Sequence, residues 1–415
     1  MYHLENIMKS KTTLFLAVIL SFTFIMLGCT QEDKVSEPSS IQIGVLLPLT
    51  GELDDRAAEI QTFLDIALTD ANQQLELEDS DIRLTLQVID TETNPTTART
   101  QMEVMSQSGI KCFIGPITSA EMLEASQSTL INDCLLLSPS STSTDLSIAG
   151  DHLYRFVAGD AQMAEALAHV IWDQGVRYIA SMFREDSWGF SLSNLVQIEF
   201  ENIGGSQVMK TEYLSLRQSS ARSELIIVAN SIEALNVPSE QIAIQINSFN
   251  EAIMLFEVAS ELLIDYPILG EVQWFGSDGF VQSPLLFDYP QAAAFAHRVE
   301  FIAPIMGIPG SEALETLLEQ YQGSAPWSYS IISYDLVQII AELMGSASDI
   351  NDVASLETAL NNVTNEYTGL SGSISLDENG DRTEGLYHFW QVVESGSTYA
   401  WEHILSYNEG HFSTP

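Results

Sequence analysis

From Ile41 onward, short apolar runs alternate with longer segments whose apolar residues recur at helical spacing. The runs predict strands and the amphipathic segments predict helices, in two successive rounds. The first round is strand 41–47, helix 57–74, strand 82–89, helix 95–108, strand 111–114, helix 120–132 and strand 135–138. The second is helix 162–174, strand 178–183, helix 191–202, strand 207–213, helix 219–231, strand 242–246, helix 251–263 and strand 274–275. This alternation indicates an α/β chain with two Rossmann-like lobes, each built on a mostly parallel sheet.

Two further apolar runs, 372–376 and 386–390, flank an acidic segment that begins at Asp377. The segment resembles the start of a calcium loop, but its twelfth position is His388, where such a loop has a bidentate glutamate. We therefore interpret the segment as a turn that joins the two runs into a hairpin.

The first residues of the chain have the features of an export signal. Two lysines precede an apolar stretch, 14–27, that is shorter than the roughly 20 residues needed to cross a bilayer. The stretch runs into Gly28-Cys29, which resembles the cleavage site of bacterial lipoproteins. We expect residues 1–28 to be a signal peptide, Cys29 to carry lipid, and the polar residues 29–40 to form a flexible tether. An ordinary secretory signal is the alternative. The expected location is the periplasm or the cell surface, with the lipid anchored in a bacterial membrane.

Two cysteines remain after Cys29, and each opens an apolar run that predicts a strand. An exported chain meets an oxidising compartment, so Cys112 and Cys134 can form a disulfide between neighbouring strand starts. Two buried free thiols are the equal alternative. The seven histidines are scattered and no Cys-x-x-Cys occurs, so we expect no metal site.

The composition is strongly acidic, with 15 Lys and Arg against 57 Asp and Glu and a formal net charge of −42. This charge repels phosphate backbones, which argues against a nucleic-acid partner. The sequence also lacks Gly-x-Ser-x-Gly, the Gly-x-x-x-x-Gly-Lys phosphate loop, and Gly-x-Gly-x-x-Gly after the first strand. We therefore expect neither an enzyme nor a bound cofactor.

Hydroxyl, acidic and aromatic residues follow several predicted strands. In doubly wound sheets, ligands bind outside the carboxyl ends of the strands. Ser119 precedes a predicted helix, where it can serve as the N-cap or, with free backbone N–H groups, bind a carboxylate. Ser141 and Thr142 follow the next strand and allow the same two interpretations. Asp278 can meet an ammonium group or stabilise its own turn, and Trp188 can line a pocket or pack within its own lobe.

Seven short stretches form an ordered set along the chain. They are Ile43-Gly44-Val45 to Thr50-Gly51, Ile114-Gly115-Pro116 to Ser119, Ser138-Pro139 to Asp145-Leu146, Tyr154-Arg155 to Asp160, Asp186 to Gly189, Tyr334-Asp335, and Gly372 to Asp381. In order and spacing they resemble type I periplasmic binding proteins, specifically the leucine/isoleucine/valine-binding group that serves ABC transporters. The resemblance covers nearly the whole mature chain. It implies two lobes that close around a small amino-acid-like ligand by hinge bending, and a permease partner that couples transport to ATP.

The resemblance also implies roles for single residues. Ser119, Ser141 and Thr142 would hold the ligand carboxylate, and Asp278 with Asp160 would meet the ammonium group. The remaining candidates are residues expected to line the cleft or to lie near positions where the family often has aromatic residues: Trp188, Tyr329, Ser248 and Arg56. An arginine at the mouth would favour an acidic ligand or a second carboxylate.

The same resemblance places lobe I at 41–157 plus 305–374 and lobe II at 158–304 plus 375–415, with three chain crossings as the hinge. The crossings are expected near Val157, near Pro304 and within 375–381. We expect a monomer. The alternative function is a sensory or regulatory lipoprotein of the same fold that binds a protein partner.

Overall fold

Strands and helices alternate along residues 38–215, 217–321 and 325–415, which are the residues that the computed structural model describes. The first elements are β1 (Ser39–Leu47), α1 (Asp54–Leu77), β2 (Ile82–Asp90), α2 (Pro95–Gln107), β3 (Cys112–Ile114), α3 (Ser119–Ser126), α4 (Thr129–Asn132), β4 (Leu135–Ser138) and β5 (Leu153–Ala158). The predicted signal peptide, Cys29 and most of the tether lie outside the described residues.

The second group of elements repeats the alternation. It comprises α5 (Asp160–Asp173), β6 (Tyr178–Arg184), α6 (Ser187–Asn202), β7 (Ser206–Tyr213), α7 (Gln218–Glu233), β8 (Ile242–Asn247), α8 (Ala252–Leu262), β9 (Gln273–Phe275), α9 (Pro290–Arg298) and β10 (Ile302–Met306). The chain then continues with α10 (Glu312–Tyr321), α11 (Ser328–Ser346), α12 (Val353–Glu366), β11 (Thr368–Gly369), β12 (Gly372–Ser373), β13 (Asp381–Arg382), β14 (Tyr387–Ser395), β15 (Thr398–Asn408) and β16 (His411–Ser413).

The strands form two large sheets, as the α/β alternation predicted. The first has the order β13-β5-β4-β3-β1-β2 and the second has the order β16-β15-β14-β10-β9-β8-β6-β7. In the second sheet, β6 to β10 pair in parallel, whereas β14, β15 and β16 pair antiparallel. The strand order reverses between β1 and β3 in one sheet and between β6 and β8 in the other. These two switch points are where a doubly wound sheet opens a crevice for a ligand.

Helices cover both faces of the first sheet, which explains why its strands are continuous apolar runs. Successive side chains of a strand point to opposite faces. Accordingly, Cys112 and Ile114 of β3 join one core cluster and Phe113 joins the other, and β4 repeats the alternation. Residues of α1 complete the first cluster, and residues of α2 and α3 complete the second.

The chain passes between the two sheets three times. The first passage follows β5, the second follows β10 and leads to α11, which packs along α1, and the third follows β13. Asp381 and Arg382 pair with β5 in the first sheet, so the third passage comes after Arg382 rather than within 375–381. The lobe boundaries themselves stay predictions.

Two local predictions are wrong. The single helix predicted at 120–132 is two helices, separated at residues 127–128, and the Thr129 hydroxyl at the start of the second lies within hydrogen-bond distance of the carbonyl oxygens of Ser126 and Asp151. The predicted hairpin of 372–376 with 386–390 does not form. Strand β12 pairs with β11, and β14 pairs with β10 and with β15 across the turn at Gly396.

Cys112 and Cys134 are buried free thiols, so the disulfide alternative is wrong for this structure. The two side chains belong to core clusters on opposite faces of the first sheet, which keeps the sulfur atoms apart. Burial raises the pKa of both thiols, that of Cys134 to about 12. Both groups are therefore uncharged and unreactive in the folded chain, because the thiolate is the nucleophile.

We predict that a chain carrying Cys29→Ser does not react with a thiol reagent while folded, and that both remaining cysteines react in denaturant without a reductant. Absorbance of the released chromophore measures the reaction. Rapid labelling of the folded chain would contradict the burial of the thiols. A lack of labelling in denaturant would show that a disulfide forms in solution.

Candidate functional site

A cavity lies between the carboxyl ends of the strands of the two sheets, at both switch points. It encloses about 330 Å³ of space free of atoms, including the part open to solvent. The lining residues are Leu53, Ile117, Thr118, Ser119, Ser140, Thr142, Trp188, Phe249, Asp278, Gly279, Trp327 and Tyr329.

A capping box fixes the start of α3 at the cavity. The Thr118 hydroxyl accepts a hydrogen bond from the Glu121 N–H at 3.2 Å, and the Glu121 carboxylate accepts one from the Thr118 N–H at 3.3 Å. Thr118 is therefore the N-cap, and the interpretation of Ser119 as the cap is wrong. The spacing Thr-x-x-Glu at 118–121 was the sequence signal for this arrangement.

Ser119 is the first residue of α3 and its hydroxyl faces two backbone donors. The oxygen accepts hydrogen bonds from the N–H groups of Thr142 and Ser143, each at 3.2 Å. A hydroxyl has two acceptor positions and one hydrogen to donate. With both acceptor positions used, the Ser119 hydroxyl can only donate a further bond, and Ser119 lines the cavity. It is thus a donor for an acceptor atom of a ligand.

The two serines that follow β4 have different positions from those predicted. The hydroxyls of Ser140 and Ser141 both donate to the Ile117 carbonyl oxygen, at 2.8 Å and 3.3 Å. Ser140 lines the cavity together with Thr142, whereas Ser141 does not. The hydroxyl of Ser141 therefore ties the β4 loop to the β3 loop. Its predicted role toward a ligand carboxylate stays untested by this geometry.

Asp278 supplies a carboxylate at the opposite side of the cavity. It follows β9 and is 3% exposed. The Tyr329 hydroxyl donates to Asp278 Oδ2 at 2.5 Å, whereas Oδ1 accepts no hydrogen bond from the described residues. Asp278 and Tyr329 both line the cavity, as predicted for residues of the cleft.

Asp160 lies behind the lining rather than in it. It is the first residue of α5 and is fully buried, and neither of its carboxyl oxygens accepts a hydrogen bond of normal geometry within the described part of the chain. Burial raises the pKa of Asp160, and the nearby Asp278 raises it further. Burial also raises the pKa of Asp278, but the hydrogen bond from Tyr329 opposes this shift.

Aromatic side chains form the walls of the cavity. Trp188, at the start of α6, stacks on Phe249 with 5.1 Å between ring centroids and 17° between ring planes. Trp327 and Tyr329 pack against each other at 4.6 Å. The remaining apolar lining comes from Leu53 and Ile117. The lining thus combines aromatic and aliphatic side chains with a smaller number of polar groups.

Arg56 does not reach the cavity, contrary to the expectation of an arginine at its mouth. It is 2% exposed, its Nη2 donates to the Val281 carbonyl oxygen at 2.7 Å, and its guanidinium lies 4.7 Å from the Trp327 ring centroid. Ser248 is also buried outside the lining, and its hydroxyl has no partner among the described residues. Within the part of the chain that the structure describes, no lysine or arginine lines the cavity.

Polar contacts join segments near the two sheets across the cleft. Arg184, the last residue of β6, lies 3.0 Å from the carboxylate of Glu52, which follows β1. The Asn250 side chain donates to Asp55 Oδ1 at 3.0 Å, and the Arg56 guanidinium donates to the Val281 carbonyl oxygen. The hydrogen bond from Tyr329 to Asp278 also crosses the cleft, so opening of the cleft would break several contacts at once.

Several residues that line the cavity were not predicted from the sequence. Ser140 and Phe249 directly follow β4 and β8, so the strand-end rule could have found them. Gly279 allows close packing, because a Cβ there would lie 2.6 Å from the Ser248 carbonyl oxygen and 2.9 Å from the Trp188 ring. Trp327 carries no such signal, since it precedes α11 rather than following a strand.

Among the described residues there is neither a metal-binding cluster nor a membrane-spanning helix. Within 38–215, 217–321 and 325–415, no group of three or more His, Cys, Asp and Glu side chains is placed to hold a metal ion. Among the helices that the structure describes, none is long and apolar enough to cross a membrane.

Comparison with known proteins agrees with this geometry. Residues 61–395 match the family described as the receptor family ligand-binding region. An uncharacterised protein of Methanocaldococcus jannaschii is 22% identical over 412 residues, which cover 92% of this chain and 94% of that protein.

Solved structures show the same fold at low sequence identity. A leucine-binding protein of Thermotoga maritima has a TM-score of 0.73 at 19% identity, covering 89% of this chain and 99% of that one. The substrate-binding protein of a branched-chain amino acid transporter from Streptococcus pneumoniae, solved with isoleucine, has a TM-score of 0.68 at 15% identity, covering 88% and 100%. The predicted resemblance is confirmed for the fold. The chain belongs to the receptor family ligand-binding region, and its fold is that of the type I periplasmic binding proteins.

Proposed function

We propose that the chain is the solute-binding component of an ABC transporter and binds an amino acid or a similar small zwitterion between its two lobes. The observation that carries the proposal is the polarity of the cavity. A hydroxyl donor at the start of α3 lines the cavity from the side of the first sheet, and the carboxylate of Asp278 lines it from the side of the second. A zwitterion presents the complementary charges.

The donor side suits a carboxylate. Ser119 can only donate, and the N-terminus of α3 carries the partial positive charge of the helix dipole. The acid side suits an ammonium group, since Asp278 Oδ1 has no donor among the described residues and a buried carboxylate requires one. Thr142 and Ser140 contribute to the lining on the donor side and would help to position the carboxylate.

The lining excludes an acidic ligand side chain. None of the described residues that line the cavity is cationic, and Arg56 contacts the Val281 carbonyl and the Trp327 ring instead. A second ligand carboxylate would thus be buried without a partner, at a cost of several kcal/mol. The stacked Trp188 and Phe249 favour an aliphatic or aromatic side chain instead. Leucine and isoleucine are the ligands named for two solved neighbours, one from Desulfitobacterium hafniense and one from Streptococcus pneumoniae, which supports the same class.

The contacts across the cleft support binding by hinge closure. Ligand contacts on both lobes would add to the Glu52–Arg184 pair and the Asn250–Asp55 bond, and so favour the closed form by their differential affinity. The closed form would then dock on the permease. Export by a signal peptide and anchoring through lipid on Cys29 complete the proposal, with the domain held outside the cytoplasm as a monomer.

A thermal-shift screen of the purified full-length chain tests the function. The panel contains L-leucine, L-isoleucine, L-phenylalanine, L-glutamate, spermidine, a dipeptide and acetate. Ligands that bind only the folded state raise its melting temperature. We expect a shift with neutral apolar amino acids and none with L-glutamate or acetate. If no compound in the panel raised the melting temperature, this result would contradict solute binding of this class and would favour a sensory role with a protein partner.

A further inference from the structure

Asp160 and Asp278 are buried acids without an ion-pair partner among the described residues, and Asp160 adjoins the cavity lining because its N–H donates to the Thr142 carbonyl oxygen at 2.9 Å. Asp160 and Asp278 are 0% and 3% exposed, and three of their four carboxyl oxygens accept no hydrogen bond from the described residues. The Tyr329 hydroxyl donates to the fourth oxygen. A full negative charge on both groups would be strongly unfavourable, because an unpaired buried carboxylate is expensive and two like charges raise that cost.

The neighbouring charged and titratable groups do not supply the missing positive charge. Arg155 on β5 is the nearby cation, but its Nε and Nη2 pair with Asp381 at 2.5 Å and 2.6 Å, and its Nη1 donates to the carbonyl oxygens of Ser141 and Ser143. Tyr387 on β14 donates to the Gly159 carbonyl at 3.3 Å.

Uncharged hydrogen-bond donors near Asp160 do not balance the negative charge of the two acids either. The hydroxyl of Thr142 and the indole of Trp188 oppose the rise in the pKa of Asp160 without offsetting it. Only a bound proton can therefore remove part of the negative charge of the two acids.

We propose that Asp160 and Asp278 share one proton while the cavity is empty, and that the ammonium group of a ligand displaces this proton when it binds. The inference rests on the proposed function, because it concerns the ammonium side of the same cavity. It adds that ligand binding releases a proton, so that affinity falls as the pH falls.

The exchange balances in atoms and charge. The O–H bond of the protonated carboxyl group breaks, its electron pair stays on the carboxylate oxygen, and the proton passes to water or buffer. The ammonium group brings one positive charge and meets Asp278 Oδ1, which lacks a donor among the described residues, while Asp160 stays behind the lining. The positive charge next to the pair then stabilises the ionised form of both acids. No electron transfer is involved.

The first test uses the ligand-free full-length chain. Infrared spectroscopy at neutral pH should show the carbonyl band of a protonated carboxyl group, and Asp160→Asn should remove it. Asparagine has nearly the same shape, and no described residue donates a hydrogen bond of normal geometry to the Asp160 carboxyl group. The matched control is Asp265→Asn, at an exposed turn after α8, which should leave the band unchanged. Absence of the band from the unaltered chain would overturn the shared proton.

Stability against pH gives a second ligand-free readout. The folded chain holds the proton above the ordinary pKa of aspartate, whereas the unfolded chain does not, so the free energy of unfolding falls as the pH rises through the neutral range. Urea unfolding of Asp160→Asn should show a flatter dependence. An equal slope in both proteins would overturn the inference.

The second test measures proton release with L-leucine. Titration calorimetry in buffers of different ionisation enthalpy should give different heats, corresponding to nearly one proton released per L-leucine bound, and Asp160→Asn should reduce this number toward zero while binding is retained. Binding of L-leucine with the same heat in every buffer would overturn proton displacement while the proposed function stands. If L-leucine does not bind but the infrared band is present, the proposed function fails for this ligand and the shared proton stands.

Discussion

Asp278→Asn is expected to weaken binding of neutral amino acids by about a hundredfold or more. The change removes the charge that meets the ligand ammonium, and loss of one partner of a buried, hydrogen-bonded charge pair costs about 2–5 kcal/mol. Asparagine keeps the size of the side chain, and its carbonyl oxygen can accept the hydrogen bond from Tyr329. The fold should therefore be retained, and titration calorimetry with L-leucine measures the loss.

The matched control for this change is Asp265→Asn, which alters an exposed aspartate and should leave affinity unchanged. Melting temperature in the absence of ligand reports whether the variant folds. An unaltered dissociation constant in a folded Asp278→Asn variant would remove Asp278 from the site, and it would leave the cavity without a reason to prefer ammonium ligands.

Arg184→Met is expected to lower the free energy of unfolding by about 3–5 kcal/mol, the cost of removing one partner from a buried ion pair. The Arg184 side chain is 9% exposed and lies within 3.0 Å of carboxylates of Glu52, Asp186 and Glu251. Glu251 is 5% exposed and would lose its cation, because its other partners are the Tyr213 hydroxyl and a backbone N–H. Urea unfolding followed by circular dichroism measures the loss.

Two further variants test whether the loss of stability in Arg184→Met arises because the ion pairs of Arg184 are buried. Arg222→Met breaks a pair with Glu261 whose side chains are 40% and 48% exposed, so its loss should be at most about 1 kcal/mol. The double variant Arg184→Met/Glu251→Gln should recover part of the stability, since no buried charge is left unpaired. Equal losses for Arg184→Met and Arg222→Met would contradict the structural role of the buried cluster.

The alternation of strands and helices was predictable because it depends on local patterns. A strand such as β3 is apolar at every position when helices cover both faces, and an amphipathic segment such as α1 must bury one side. The predicted hairpin, which does not form, shows that local patterns are insufficient to predict strand pairing. Apolar runs at 372–376 and 386–390 indicated strands, but pairing between strands depends on the whole sheet, where β14 finds β10 and β15.

The candidate site was predictable as far as strand ends determine it. Ser119, Trp188 and Asp278 all follow strands of the two sheets and reach the cavity. The side chains that were placed wrongly depend on packing over long distances in sequence. Arg56 turns toward Val281, which is 225 residues away along the chain, and only the folded structure reveals this contact.

Ser140 lines the cavity where Ser141 was predicted to do so, and the reason for this difference is more local. Both hydroxyls follow β4 and both donate to the Ile117 carbonyl, so the residue type does not distinguish them. The backbone of the loop decides which one faces the cavity. Trp327 reaches the cavity from the start of α11, where no strand end marks the position.

A crystal structure of the chain with the amino acid that gives the largest thermal shift would locate the ligand. We expect the ligand to lie between the two lobes, with its nitrogen within hydrogen-bond distance of Asp278 and its carboxylate at the Ser119 hydroxyl and the start of α3. Its side chain should contact Trp188 and Phe249. A ligand found elsewhere on the chain, or bound in the cavity with its carboxylate toward Asp278, would contradict the proposed binding of a zwitterion.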